Sequence, residues 1–384
     1  MLLPEITSAN REELKQWRQA LHRIPEIAFN EEKTACFVEQ KLNSFGLTVY
    51  PRIAGTGVVA SIQAGSGNKR IALRADLDAL PMVEKTGLDY SSLHEGMMHA
   101  CGHDGHTTML LGAAQYLSQY QDFNGIVYFV FQPAEENEGG GRCLVEQGFF
   151  DKYPVDAIYG MHNWPGLEAG KFAIRSGPIM AAYDVFDISI EGKGGHAAAP
   201  HNTIDPIVIA AQIVTALQNI SSRQHNPQDA MVISVTRIHA GDSYNVIPEC
   251  ALLSGTVRTF SNIVQEKIIT QLTQIVEAIC LAYGATAKID YQKRYPATIN
   301  DCSETENARL AAMAVVGSGN IINDAPPSMG SEDFSFLLNE VKGCYVSIGN
   351  GDSESLHNPY YNFNDEILSI GMSYWVKLTQ MQLS

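Results

Sequence analysis

Ile126-Val127-Tyr128-Phe129-Val130-Phe131-Gln132-Pro133-Ala134-Glu135-Glu136 is the stretch that decides the fold. Its first part has the length and the Val, Ile and Phe content of a buried strand, and Pro133 ends it. Two adjacent carboxylates follow, and the Gly139–Gly141 run behind them marks a tight loop. Upstream, Thr107–Tyr120 places Leu110, Leu111, Ala114 and Leu117 on one helix face. Gly57–Ile62, Ile71–Ala75 and Ala157–Met161 repeat the short apolar run between turn residues. Nearer the N-terminus, Leu14, Trp17, Leu21 and Ile24 recur at helical spacing up to Pro25, and a second helix is expected from an N-cap at Asn30 to Gly46. Strand and helix alternating in this way predict an α/β unit, a mostly parallel sheet covered by helices.

The order changes after Tyr183. Tyr183–Glu191 reads as strand, Ile204–Ser221 as helix, and Met231–His239 and Ala251–Thr259 as strands. Asn262–Tyr283 reads as a long amphipathic helix closed by Gly284, and Thr286–Tyr291 as a last strand. The succession β-α-β-β-α-β is that of a ferredoxin-like α+β unit. We therefore expect residues 182–294 to form a domain inserted into a larger one made of 1–181 and 295–384. Past Pro296 the first pattern resumes, with a buried strand at Cys344–Ile348 and a closing helix after Asn364. A chain of 384 residues is long for a single core, which agrees with two domains.

The net charge of −16 argues against nucleic-acid binding, which needs a basic face. It does not exclude an anionic substrate, because a metal or a few arginines reverse the potential locally. No run approaches the ~18 consecutive apolar residues of a membrane span, and the first residues carry no secretory pattern. Seven cysteines, an odd number without a framework, fit reduced thiols, so a cytoplasmic protein is expected. Cys36, Cys143, Cys250, Cys280, Cys302 and Cys344 stand in mostly apolar contexts and are read as core.

Met98-His99-Ala100-Cys101-Gly102-His103-Asp104-Gly105-His106 carries the strongest chemical signal. Thiolate and imidazole are ligands for borderline transition metals, and a helix N-terminus favours the thiolate. Cys-x-His alone is short and also fits a buried cysteine beside unrelated histidines. The strand ends add to it. Ligands of open α/β sheets bind outside the carboxyl ends of the strands. Asp76 and Asp78 follow one predicted strand, Glu135 and Glu136 another, His162 a third, and His357 lies in the loop after a fourth. Adjacent glutamates do not easily share a face, so one can hold a metal while its neighbour moves the proton of a water. Two other readings compete: Cys101 as a covalent nucleophile activated by His103 or His106, and a metal-binding module without catalysis. His106 itself is read as a supporting or packing residue rather than a ligand.

The segments Leu21–Glu26, Leu73–Pro81, His99–His106, Gln132–Glu136, Met161-His162, Gly192–Pro200, Asn245–Pro248, Met329–Phe334 and Leu356-His357 run through almost the whole chain in order. Together they resemble the aminoacylase and carboxypeptidase superfamily of dinuclear metallohydrolases. Within it they are most similar to the branch of hippurate hydrolase, auxin-conjugate hydrolases and N-acetyl-diaminopimelate deacetylase. The resemblance implies that Cys101, His103, Glu136, His162 and His357 bind two divalent ions (zinc, manganese, cobalt or nickel), with the Cys101 sulfur as bridge. It implies Glu135 as general base and then acid, and Asp78 as the carboxylate that orients a ligand. Asp76 stands where the wider superfamily usually has a ligand histidine. In the inserted domain, which the resemblance makes a lid and a possible homodimer interface, His196 would donate to the oxyanion in cis or in trans. Asn245, Arg258, Gly330 and Ser331 would contact substrate. The implied activity is hydrolysis of an N-acyl amino acid, with dipeptidase or aminopeptidase action as the alternative.

Overall fold

The computed structural model describes residues 8–136 and 138–384. The chain divides into two compact units, one running up to Ile179 and resuming over Ile299–Pro326 and Glu332–Ser384, the other comprising Met180–Thr298 and Pro327–Ser331.

Eight strands build the sheet of the first unit. Their spatial order is Thr48–Ile53, Gly57–Ala64, Gly125–Gln132, Arg70–Asp76, Ala157–Pro165, Gly343–Gly351, Phe172–Ile174 and Ile321–Asn323. The middle four, Gly125–Gln132 to Gly343–Gly351, are parallel, and antiparallel pairing enters on both sides. Val127, Phe129, Phe131, Ile71, Leu73, Tyr159, Val346 and Ile348 are buried, as strands covered on both faces require. Helix His103–Tyr120 is buried along most of its length and packs against helices Ser8–His22 and Leu368–Gln382. It starts four residues ahead of the expected Thr107, because Gly102 turns in the left-handed region (φ 93°) and releases His103 directly into the helix. The short strands Thr48–Ile53, Phe172–Ile174 and Ile321–Asn323 escape sequence reading, being brief or half-exposed and lacking a long apolar run.

Two expectations need correction. The second helix spans Glu32–Ser44, and Asn30 does not cap it: the Asn30 side chain donates to the Ala28 carbonyl. The capping acceptor is Glu26, whose Oε2 takes the Lys33 N–H at 2.9 Å, the Thr34 N–H at 3.0 Å and the Thr34 hydroxyl at 3.1 Å. A carboxylate arriving from outside the helix satisfies the same orphan donors as a local cap. Of the six cysteines read as core, only Cys280 and Cys344 are buried; Cys143 is half-buried, and Cys36, Cys250 and Cys302 are exposed. Apolar neighbours in sequence do not fix which helix or strand face a small thiol occupies. Cys36 lies off the face that buries Ala35, Val38 and Leu42.

The second unit holds a four-stranded antiparallel sheet ordered Met231–His239, Cys250–Thr259, Ala182–Glu191 and Thr286–Tyr295. Helices Pro206–Asn219 and Asn262–Tyr283 complete the ferredoxin-like succession. Phe186, Ile188, Ile190, Ile209, Ile213, Leu217, Ile268, Leu272 and Val276 form its own core. The Asp205 carboxylate caps the first helix by accepting from Ile207 N at 2.9 Å, and Gly284, with φ 75°, ends the second. Among the described residues no helix is long and apolar enough to cross a membrane.

In the first unit a buried polar cluster pins the N-terminal helix to the helix that carries His103. His22 Nδ1 lies 2.7 Å from Asp104 Oδ2, and Arg18 Nε donates to Asp365 Oδ1 at 2.6 Å. Burial works against a charge on His22, yet the Asp104 hydrogen bond and charge outweigh it and push the imidazole up to about 9. A raised folded-state value means that this stabilisation is complete below the unfolded value of ~6.5 and vanishes as pH climbs past the folded one. Urea unfolding of metal-free protein at pH 7 and pH 10 is expected to show a loss on the order of 2 kcal/mol that a His22→Gln variant lacks. Equal pH dependence in the two proteins would show that His22 is not charged in the folded state.

Candidate metal centre

The parallel strands bring their carboxyl ends to one rim. Asp76 pairs in register with Gln132, and His162 with Ser347. Past Gln132 the chain turns at Ala134, a non-glycine residue in the left-handed region (φ 56°), and so presents Glu135 and Glu136. The buried Glu31 carboxylate secures that turn, accepting from Ala134 N at 2.9 Å and from the Thr56 hydroxyl at 2.5 Å. Gly140 must be glycine here, since a Cβ would sit 1.7 Å from the Pro133 carbonyl oxygen. On the opposite loop His357, also left-handed (φ 62°), donates its backbone N–H to the Ala100 carbonyl at 2.8 Å.

Cys101, His103, Glu136, His162 and His357 come together with Glu135 and Asp78. Cys101 Sγ lies 3.4 Å from His162 Nε2, His103 Nε2 3.9 Å from Glu136 Oε1, and His357 Nε2 3.3 Å from Glu136 Oε2. Two triplets of donor atoms, Cys101–His103–His162 and Cys101–Glu136–His357, each fall within 4.8 Å and share the sulfur. His103 Nε2 and Glu136 Oε1 are buried with no hydrogen-bond partner among the described residues. Buried polar atoms are ordinarily paired, so two orphaned lone pairs converging beside a thiol fit a cation. Asp78 braces the same atoms from behind: Oδ1 is 3.2 Å from His103 Nδ1, and Oδ2 accepts the Glu136 N–H at 3.0 Å.

The field of the surrounding carboxylates favours positive charge, so a cation at His103 Nε2 would take the place of a proton. Burial alone disfavours a charged His103, but Asp76, Asp78 and Glu136 raise it to about 10. Burial, with Glu136, Glu135 and Asp76 adding negative charge, pushes the Cys101 thiol well above its ordinary range. A thiol in such a field is a poor free nucleophile, whereas a coordinated cation deprotonates it. Burial and the charges of Glu332, Glu136, Asp333 and Asp78 push the Glu135 carboxyl well above the carboxylate range. Such a group holds a proton readily.

Of three further donor groups, His103–Glu135–Glu136 overlaps the first two triplets and adds Glu135, and the other two differ in kind. Asp76 and His106 stand beside His103, but Asp76 spends its oxygens on His106 Nδ1 (2.7 Å) and Arg74 (2.8 Å), and His106 Nε2 accepts the Asn163 N–H at 3.0 Å. No lone pair of His106 is left for a metal, in keeping with its reading as a supporting residue. Glu332 and Asp333, near Glu135, share the single charge of Arg74, whose NH2 lies 3.0 Å from Glu332 and 2.9 Å from Asp333, so negative charge is left over beside Glu135. Sequence reasoning did not single out Arg74, Glu31, Asn163, Glu332 or Asp333 individually. The signal available was their position: Arg74 stands two residues before Asp76 and Asn163 directly after His162, both on buried strands, where polar side chains demand partners.

The remaining candidates belong to the second unit. His196 is exposed in a two-residue ladder with Val246, and its Nδ1 accepts the Ala198 N–H at 3.1 Å. Asn245 is exposed, its carbonyl accepting from Ala197 N at 3.0 Å. The Arg258 guanidinium stacks 4.1 Å over the Tyr183 ring and donates to the Ser331 hydroxyl at 3.1 Å. Gly330 is exposed, with its carbonyl accepting from Ala181 N at 2.8 Å.

Comparison with known proteins extends these observations. The chain is 40% identical over 377 residues to the hippurate hydrolase of Campylobacter jejuni, covering 98% of each. It is 45% identical over 286 residues to an N-acyl-L-amino acid amidohydrolase of Geobacillus stearothermophilus, covering 74% of this chain and 77% of that one. A crystal structure of a Bacillus subtilis protein described as a dinuclear metal-binding peptidase superposes with a TM-score of 0.88 at 35% identity, covering 98% and 99% of the two chains. Residues 72–381 match the sequence pattern of peptidase family M20/M25/M40, and with relatives this similar over nearly its full length the chain belongs to that family.

Proposed function

We propose that this chain is a metal-dependent amidohydrolase that splits the amide bond of N-acyl amino acids, releasing a carboxylic acid and a free amino acid. The observation that carries this reading is the meeting of Cys101, His103, Glu136, His162 and His357 around two overlapping donor triplets, with Glu135 beside them. The names of the hippurate- and N-acyl-amino-acid-cleaving relatives support the substrate class. Two divalent cations held by these five residues would supply Lewis acidity toward the amide carbonyl and toward a water. The thiolate and imidazole donors favour zinc, with manganese, cobalt and nickel as the other candidates.

The protein's own groups do the rest. Asp78 fixes the His103 ring and the Glu136 backbone. Glu135 takes a proton from the attacking water onto its carboxylate and passes it to the leaving amine nitrogen, so that water and amide become acid and amine. His196 donates to the oxygen that becomes negative, from the same chain or from a second chain paired through the inserted unit. Arg258 binds the substrate carboxylate, with Asn245 and Gly330 as neighbouring contacts. In support, Arg258 is held by a ring and a hydroxyl and pairs with no carboxylate among the described residues. Free thiols throughout the described chain support a cytoplasmic setting.

Metal-loaded protein tested on N-acetyl and N-benzoyl amino acids, their carboxyl-blocked amides and dipeptides, with amine release followed, decides the substrate class. Free-carboxylate N-acyl amino acids are expected to dominate, and Arg258→Ala is expected to raise their KM by about 10- to 100-fold, the worth of a charged hydrogen bond. Equal cleavage of the blocked amides would remove the carboxylate clamp. Dipeptides outrunning every N-acyl amino acid would make the protein a dipeptidase.

A further inference from the structure

Asn163 directly follows His162 on strand Ala157–Pro165 and is completely buried. We infer that it is a positioning residue that sets the geometry of the Cys101–His162 pair, an inference that rests on the metal-centre reading above. All its polar groups are engaged. Its Nδ2 donates to the Cys101 carbonyl at 2.6 Å and lies 3.0 Å from His106 Nε2, while its Oδ1 accepts the Tyr361 hydroxyl at 2.6 Å. Its backbone N–H donates to His106 Nε2 at 3.0 Å, and its carbonyl accepts from His162 Nδ1 at 2.6 Å.

These partners leave little freedom. A carbonyl oxygen can only accept, so the atom facing Cys101 O is the amide nitrogen, and the amide orientation follows. By the same rule His162 carries its proton on Nδ1, which leaves the Nε2 lone pair facing the Cys101 sulfur at 3.4 Å. A ligand imidazole must be held in that tautomer and orientation to present its lone pair to a cation. His106 accepts at Nε2 from a fixed backbone donor, so its proton sits on Nδ1 and is donated to Asp76. Arg74 holds the other Asp76 oxygen. Arg74, Asp76, His106 and Asn163 thus form one buried chain that ends on two metal-binding residues from different segments. The loop closes tightly on it: a Cβ at Gly102 would lie 2.2 Å from Asn163 Nδ2 and 2.7 Å from the Tyr361 hydroxyl. One side chain therefore fixes the backbone of the thiolate residue and is attached to the residue whose carbonyl fixes the imidazole.

Cobalt(II) is the probe, because a Cys–cobalt bond gives a charge-transfer band and the ligand-field bands report geometry without any substrate. Full-length wild type, Asn163→Ala and Tyr361→Phe are stripped of metal and compared by far-UV circular dichroism. They are then titrated with cobalt against a chelating indicator. Asn163→Ala is expected to keep the wild-type fold, to bind cobalt about 10- to 100-fold more weakly, and to show altered ligand-field bands. Its kcat is expected to fall more than its KM changes. Tyr361→Phe removes only the hydroxyl that holds Oδ1 and is expected to weaken cobalt binding by about threefold, in the same spectral direction. Wild-type affinity and bands in a folded Asn163→Ala overturn the inference, whatever its turnover. If that variant does not fold, Tyr361→Phe decides, and wild-type affinity and bands in it overturn the inference equally. Absence of the charge-transfer band in the wild type overturns the metal-centre reading itself, a failure told apart because it arises in the unaltered chain.

Discussion

Glu135→Gln is expected to leave metal uptake unchanged and to lower kcat by about 10²–10⁴-fold, the usual contribution of a positioned proton carrier. Glutamine matches glutamate in size, so the cavity and the neighbouring Glu136 keep their places, while the group able to take a proton from water is gone. Glu135 is only 7% exposed and stands among Glu136, Glu332, Asp333 and Asp78, which favour its protonated form. A cation held beside it would offset those charges and leave the carboxylate free to accept the water's proton, which it then gives to the amine. The measurement is steady-state turnover of an N-acyl amino acid beside metal content by elemental analysis. Turnover within about tenfold of wild type would take Glu135 out of the proton path, and loss of metal along with activity would place it among the ligands.

Removal of metal is expected to have the larger effect. Dialysis against EDTA should abolish turnover, and added zinc, manganese or cobalt should restore it. The covalent reading of Cys101 predicts the opposite, activity that survives chelation and is lost to thiol alkylation. The structure favours the first outcome, because the Cys101 thiol is buried beside two glutamates that oppose its ionisation. Cys101→Ala should also cost more metal affinity than His357→Ala. The sulfur is common to both donor triplets, whereas His357 belongs to one and its side chain is 53% exposed. Titration of stripped variants with cobalt measures the difference, and equal losses would argue against a bridging sulfur.

Much of the architecture was readable in the chain because burial on both faces leaves a simple mark. Ile126–Gln132 and Ile71–Ala75 have few polar positions, and the helices between them carry their apolar residues at helical spacing. The rim was readable too, since parallel strands release their following loops at one end: Asp76 ends its strand and Asp78, Glu135 and Glu136 follow theirs, whereas His162, expected just past a strand ending at Met161, lies within the longer strand Ala157–Pro165. The Glu26 cap was not, because its acceptor reaches the helix from outside the local turn. Exposed cysteines such as Cys36 were misjudged for a related reason: composition gives the neighbourhood of a residue but not the face it occupies.

What the sequence by itself determined was the order of the long buried strands and the kinds of side chain offered near their ends, since hydrophobic period and turn chemistry are local properties. The tertiary structure alone decided how those side chains are held. Arg74 meets Asp333 across 259 positions, Asn163 meets Tyr361 across 198, and Glu31 meets Ala134 across 103. A buried polar group takes its partners from whatever the folded chain brings within hydrogen-bond reach, and linear spacing carries no record of that distance.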